Sequence, residues 1–427
     1  VRILFYNHAP ELGGAERSLL AIMDRARDAG HEILFCAPPG PLTDAVRHLQ
    51  VLARPVHEFE VGYTRAPWTM AKYLGRLLLP VHDLTQAAEQ FRPELIHANT
   101  PRSGLVAAQA VGLLRRRPAL VVHVRDSLRH GRSDWLVSMV IGSRADAIVA
   151  ISHFVAESLQ IERQKVRVLH NAIDLQQYAY DAAKGHDLRR LLGIAPEVPL
   201  LAVAGQITPW KGQLEAMEAL SQVRRRLPMA HLLIAGSVKF TGSHRRYDNP
   251  AYYRELVARS TRADIAGHVH MSGEVEASAI YSAADVLLVP SWAEPFGRVV
   301  IEAMSARCPV VATAAGGIPE IIEHEVEGLL GPPRDPVALA HASLRVLGDP
   351  ALRQQLVSNG SRSVAGRFSL DGYMQQLTAI WIAACSHGAV PYPTDPPRYR
   401  RRAVEAMPAS PERESRDLSS LPEHTLG

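Results

Sequence analysis

Short apolar runs alternate with amphipathic stretches along most of this 427-residue chain. Residues 3–6, 32–36, 95–97, 120–124 and 147–151 are runs of strand length, and they read as strands buried on both faces. Residues 15–29 and 104–114 carry their apolar positions at helical spacing. This alternation predicts a mostly parallel sheet with helices on both faces. The rhythm then restarts, with strand-like runs at 200–204, 231–235, 268–271, 286–289 and 310–312. Two such series predict an α/β protein of two doubly wound domains, with ligands bound in the cleft at the carboxyl ends of the strands.

A boundary is expected within 173–199, which holds the polar insertion Asp181-Ala182-Ala183-Lys184-Gly185-His186-Asp187 and then Pro196 and Pro199. The expected units are 1–172, 173–369, a helix within 370–387 that follows the second domain, and a tail at 388–427. The tail is rich in Pro, Arg, Ser and Glu and reads as disordered. Its Arg398-Tyr399-Arg400-Arg401-Arg402 cluster reads as solvated, with an anionic membrane as the alternative contact.

Hydrophobic residues make up 47% and charged residues 21%, an ordinary globular balance. The net charge of +4 is too small to argue for nucleic acid and leaves room for an anionic substrate or membrane surface. Cys36, Cys308 and Cys385 are far apart, so neither a disulfide framework nor a zinc site is expected, and a cytoplasmic setting follows. No apolar run reaches membrane-spanning length. The opening residues 1–6 read as a strand rather than a signal peptide. Residues 68–80, apolar with basic punctuation, read first as a core-facing helix. An interfacial helix, giving peripheral contact with the membrane's cytoplasmic face, is the alternative.

Five segments can carry chemistry. Glu294-Pro295-Phe296-Gly297-Arg298 follows the strand 286–289. Pro295 stands where a helix would begin, which places Glu294 at the helix mouth and Glu302 about two turns in. Free amides at such a mouth suit an anion, whereas a glutamate there suits hydroxyls. Gly316 and Gly317 follow the strand 310–312, where glycine lets backbone amides approach a ligand. Gly205-Gln206 leaves the first strand of the second series, and Lys211 soon after offers a point charge to a diphosphate. Gly13 and Gly14, followed by Glu16, join the first strand to the first helix as an anion-loop candidate. His123 and Arg125 end the strand near 124 and point the same way. Alone, each segment also fits a plain structural reading: a capped helix, a tight turn, a solvated lysine or a buried histidine. No G-x-G-x-x-G, Walker loop or D-x-D pair occurs, so no metal is expected to hold the phosphates.

Together and in this order, the segments resemble family 4 of the glycosyltransferases, from residue 1 to about 387. The strongest part is Glu294 to Glu302, similar to the family's E-x7-E motif. Asn171-Ala172-Ile173-Asp174, Lys211-Gly212, Gly316-Gly317-Ile318-Pro319-Glu320 and Glu327-Gly328-Leu329-Leu330 add to it. The resemblance implies the GT-B fold: two facing Rossmann-like domains, acceptor on the first and nucleotide-sugar donor on the second, with helix 370–385 returning to the first. It implies retaining sugar transfer from a nucleotide diphosphate to a saccharide or lipid-linked acceptor, with UDP favoured over GDP and no further cofactor. In that reading Glu302 holds the ribose, Glu294 faces the sugar hydroxyls and Lys211 binds the diphosphate. Gly205, Gln206, Phe296, Gly297 and Arg298 complete the donor site. Gln206 stands where the family has arginine, and Arg298 is the candidate replacement. The family often ends the strand near 125 with histidine followed by an acidic residue; here Arg125 stands at the aligned position and His123 two residues earlier, and the choice between them as catalytic candidates stays open. A nucleotide-sugar epimerase, a sugar phosphorylase and a non-catalytic binding protein are the competing readings.

Overall fold

The computed structural model describes residues 1–59, 67–128, 132–239 and 247–386, with the backbone alone for 67–74 and 132–133. The expected tail at 388–427 and its arginine cluster lie outside the described residues, as do most side chains of the 68–80 stretch.

The first sheet holds β1 (Arg2–Tyr6), β2 (Glu32–Ala37), β3 (Leu52–Pro55), β4 (Leu95–Ala98), β5 (Ala119–Val124), β6 (Ala147–Ala150) and β7 (Val166–Val168). Its strands lie in the order β3-β2-β1-β4-β5-β6-β7, and every pair is parallel. Its helices are α1 (Gly14–Asp28), α2 (Pro41–His48), α3 (Pro67–Phe91), α4 (Pro101–Val111), α5 (Arg132–Arg144) and α6 (His153–Ala156). All side chains of the central strands β4 and β5 are buried, as helices on both faces require.

The polar insertion expected after the first domain is instead a helix, α7 (Ala182–Leu191). Asp181 caps it, accepting from the Ala183 and Lys184 amides at 3.0 and 3.1 Å. Its polar composition reflects one exposed face; Leu188 and Arg189 are buried on the other.

The second sheet holds β8 (Leu200–Ala204), β9 (His231–Ala235), β10 (Val269–Gly273), β11 (Val286–Val289), β12 (Val310–Thr313) and β13 (Leu329–Gly331), in the order β10-β9-β8-β11-β12-β13, again all parallel. Around it lie α8 (Gln213–Arg224), α9 (Asn249–Ser260), α10 (Ala277–Ala283), α11 (Arg298–Ser305), α12 (Pro336–Gly348) and α13 (Pro350–Arg367). In both sheets the winding reverses beside the first strand: at β1/β4 in one and β8/β11 in the other. Such reversals open a crevice at the carboxyl ends of the strands.

The last helix, α14 (Leu370–Cys385), matches its expected span and packs back on the first sheet. Its Leu377, Ile380 and Trp381 join Ile3 and Phe5 of β1 and Leu19, Ile22 and Met23 of α1 in one core cluster. The Trp381 indole donates to His97 Nδ1 at 3.1 Å. The chain thus passes between the domains twice, and the passages are tied: Ile173 N donates to Phe368 O at 3.0 Å and Leu370 N to Ile173 O at 3.1 Å. No helix among the described residues is long and apolar enough to cross a membrane.

Candidate active site

The two loops flanking the β8/β11 reversal bring the second domain's charged residues together. β8 runs into Gly205 and then a single 3-10 turn, Pro209–Lys211. β11 runs into Ser291 and Glu294. Lys211 Nζ lies 2.6 Å from Glu294 Oε2, which also accepts from Ser291 Oγ at 3.1 Å. Both partners are largely buried, with 16% and 9% of their side chains exposed. Gly212 allows the loops to meet: its φ is +72°, and a Cβ there would stand 2.1 Å from Pro290 O.

Gly316 supports Glu294 from below. Its φ is +60°, and a Cβ would come within 2.0 Å of Glu294 O. The Gly317 amide donates to that same carbonyl at 2.8 Å. The glycine pair therefore serves the backbone of Glu294, and the Gly317 amide is not free for a ligand.

Helix α11 begins at Arg298, three residues beyond Pro295, with Gly297 at φ +106° as its cap. Glu294 accordingly sits on a loop rather than at a helix mouth. The Phe296 ring is buried, stacked on His170 at 5.6 Å and edge-on to Phe368 at 5.8 Å. Glu302 is on the second turn of α11 and buried. Its Oε2 accepts from Tyr281 OH at 2.9 Å, and its Oε1 from Arg298 Nε and Nη2 at 3.1 and 2.9 Å. Burial, and then the Glu302 charge, push the Tyr281 and Tyr178 hydroxyls up. Both tyrosines therefore act as neutral donors.

On the first domain, Glu16 Oε2 accepts from the Gly13 amide at 3.0 Å, and burial raises its carboxyl above the usual range. The amide at the mouth of α1 is thus occupied by the chain's own carboxylate. His123 is fully buried. Burial and then the neighbouring Arg125 charge hold its pKa well below the ordinary value, so the ring is neutral. Arg125 Nη2 meets its Nδ1 at 3.3 Å, while its Nε2 has no partner among the described residues. Arg125 follows β5 and donates to Asn99 Oδ1 at 2.8 Å and Asn171 Oδ1 at 2.9 Å. Both candidates lie on one side, as strand alternation predicts, with Arg125 nearer the strand end.

Several hydrogen bonds among the described residues join the domains around this site. Arg298 Nη1 donates to Gly14 O at 3.0 Å and Ser18 Oγ at 2.7 Å. Ser152 Oγ donates to Pro295 O at 2.6 Å. Glu320 accepts from the His153 and Phe154 amides, both at 2.8 Å, and from His170 Nε2 at 2.8 Å. Lys239 Nζ lies 3.4 Å from Leu12 O and 2.8 Å from Glu274 Oε1. Sequence reasoning missed Lys239; the signal was a lysine just beyond the strand 231–235, at the carboxyl end where such sites gather. The Gln206 side chain points toward it, Nε2 to Lys239 O at 3.5 Å. His153, His170 and Glu320 have donor atoms within 4.8 Å of one another, a spacing that could hold a metal ion. The three hydrogen bonds already on Glu320 make the cluster a cap on α6 supplied from the other domain.

Known proteins resemble this chain in sequence and fold. The model for glycosyl transferases group 1 matches residues 186–363, and that for Glycosyltransferase Family 4 matches residues 12–177. An uncharacterized glycosyltransferase of Methanocaldococcus jannaschii is 31% identical over 222 residues, 52% of this chain; the match spans about half of that relative, 54%. The D-inositol 3-phosphate glycosyltransferase of Saccharomonospora viridis is 30% identical over 313 residues, 67% of this chain and 71% of that one. The crystal structure of Anabaena Alr3699/HepE with UDP and glucose superposes with a TM-score of 0.78 at 25% identity, covering 90% of this chain and 99% of that one. The chain therefore belongs to family 4 of the glycosyltransferases, as an enzyme of the GT-B fold.

Proposed function

We propose that this glycosyltransferase moves a sugar from UDP to a hydroxyl of a saccharide or lipid-linked acceptor, with retention of configuration and without a metal ion. The observation that carries this reading is the Lys211–Glu294 pair, 2.6 Å apart in the crevice where β8 and β11 part. Lys211 supplies the charge for a diphosphate, with Lys239 as a second cation facing the Gly13 loop. Glu294 accepts from sugar hydroxyls once the phosphate draws Lys211 away. Glu302 holds the ribose: Arg298 occupies Oε1 with two hydrogen bonds, Tyr281 donates once to Oε2, and the Oε2 side of the carboxylate suits a ribose hydroxyl.

Negative charge builds on the diphosphate as the glycosidic bond breaks. Fixed cations and amides lining a closed cleft stabilise that charge without reorganising. The acceptor hydroxyl attacks from the face the phosphate leaves, and the departing phosphate oxygen takes its proton, so no carboxylate base is required. Closure of the domains aligns the partners and excludes water. The similar HepE was crystallised with UDP and glucose, which favours a UDP donor. Trp135, Leu136 and Met139 on α5 are 44%, 46% and 48% exposed, which favours an acceptor presented at a lipid surface.

The test is transfer from UDP- and GDP-sugars to saccharide and glycolipid acceptors in EDTA, with the product's anomeric configuration read by NMR. A product with the donor's configuration, formed from a UDP-sugar, is expected. An inverted product, or transfer only on adding a divalent ion, contradicts the mechanism.

A further inference from the structure

Arg298 stands where local helix energetics disfavour it. It is the first residue of α11, at the positive end of the helix dipole. Its partner Glu302 lies four residues later, so the pair runs in the weaker orientation for an (i, i+4) ion pair. Its guanidinium is nevertheless fully engaged. Nε and Nη2 donate to Glu302 Oε1 at 3.1 and 2.9 Å, Nη2 also to Tyr178 OH at 3.1 Å, and Nη1 to Gly14 O at 3.0 Å and Ser18 Oγ at 2.7 Å. Only 14% of the side chain is exposed. One planar fork thus touches α11, the segment between the domains, and the first two turns of α1 on the opposite domain. These partners engage every nitrogen of the fork.

We propose that Arg298 is a positioning residue that couples domain closure to donor recognition: contact with Gly14 and Ser18 fixes the guanidinium, and the guanidinium fixes the Glu302 carboxylate for the nucleotide ribose. This deepens the reading in which Glu302 holds the donor and rests on it. Arg298 donates twice to Glu302 Oε1, while Tyr281 donates to Oε2. When the first domain moves away, the fork loses two of its anchors and the carboxylate loses its fixed orientation. Nucleotide binding and closure then favour one another, because each is stronger when the other has occurred. Lysine cannot reproduce the fork, since its single nitrogen cannot bridge the three segments at once.

The experiment is a double-mutant cycle on UDP affinity by calorimetry, with Ser18→Ala, Arg298→Lys, the double variant and Glu302→Gln, each compared with wild type for apo melting temperature. Ser18→Ala is expected to weaken UDP about tenfold, as loss of a hydrogen bond to a charged group does, although Ser18 lies on the opposite domain. Arg298→Lys is expected to weaken it at least as much. The double variant is expected to resemble Arg298→Lys, because Ser18 acts through the arginine. Both effects are expected in donor KM more than in kcat. Additive losses, or a Ser18→Ala variant with wild-type affinity, overturn the coupling. If Glu302→Gln alone weakens UDP, the donor reading stands and this proposal fails; if Glu302→Gln binds UDP normally, both fall.

Discussion

Lys211 and Glu294 form an ion pair from two different loops, Nζ to Oε2 at 2.6 Å, in a setting where each side chain is more than four-fifths covered. Neither residue is near the other in sequence; the parallel pairing of β8 with β11 puts their loops side by side. Removing one partner strands the other charge in a poorly solvated place. Lys211→Met should therefore cost on the order of 3 kcal/mol of stability and weaken UDP as well. Urea denaturation and nucleotide titration check the two effects. A variant that loses UDP affinity at unchanged stability would mean the pair is not held in solution as it is here.

Gly316→Ala is a sharper probe of how Glu294 is supported. The new methyl group meets the Glu294 carbonyl at 2.0 Å, from a backbone at φ +60°. The expected cost is about 1–3 kcal/mol, with a larger fall in kcat/KM because Glu294 must shift. A kcat/KM within twofold of wild type would contradict the support assigned to this glycine.

Much of this was legible in the sequence. The central strands and α14 were found because burial on both faces, or one continuous amphipathic face, leaves a long clear pattern. β3, β7 and β13 were missed; each is an outermost strand of only three or four residues, and so short a run carries no period. The segment after Asp181 was missed as a helix because α7 shows solvent a polar face. The motif residues lie at or just beyond the carboxyl ends of strands, or on the helices that follow them. Their partners were not foreseen, because pairs such as Arg298 with Ser18 or Glu320 with His153 depend on how two domains meet. Proline at 295 marked a loop instead of a helix start, since the Gly297 cap delays α11 to Arg298.

Glu320 closes the two domains on one side of the site. Glu320→Gln keeps an acceptor oxygen but loses the charge that faces the α6 amides and His170. A loss of about 1–3 kcal/mol is expected, read as a lower melting temperature. An unchanged melting temperature would show that the tie contributes nothing measurable.

His97 sets the acid limit of the first domain. Burial, and then Arg125, lower its pKa to about 3. Below the ordinary histidine value of about 6.5, the unfolded chain takes up a proton that the folded chain refuses. Stability therefore falls as pH drops from about 6.5 toward about 3, by on the order of 1 kcal/mol per pH unit, and His123 acts in the same direction. Melting temperature against pH checks this. His97→Gln, which keeps an acceptor for the Trp381 indole, should flatten the slope; an identical slope would assign the acid sensitivity to other groups.

The most direct test of the central claim is calorimetric titration of the protein with UDP and a UDP-sugar in EDTA, beside GDP and its sugar. The account predicts saturable binding of the uridine ligands without metal, weakened by Lys211→Met and by Glu302→Gln. Absence of binding to a folded sample, or binding that appears only with a divalent ion, would contradict the donor site as assigned.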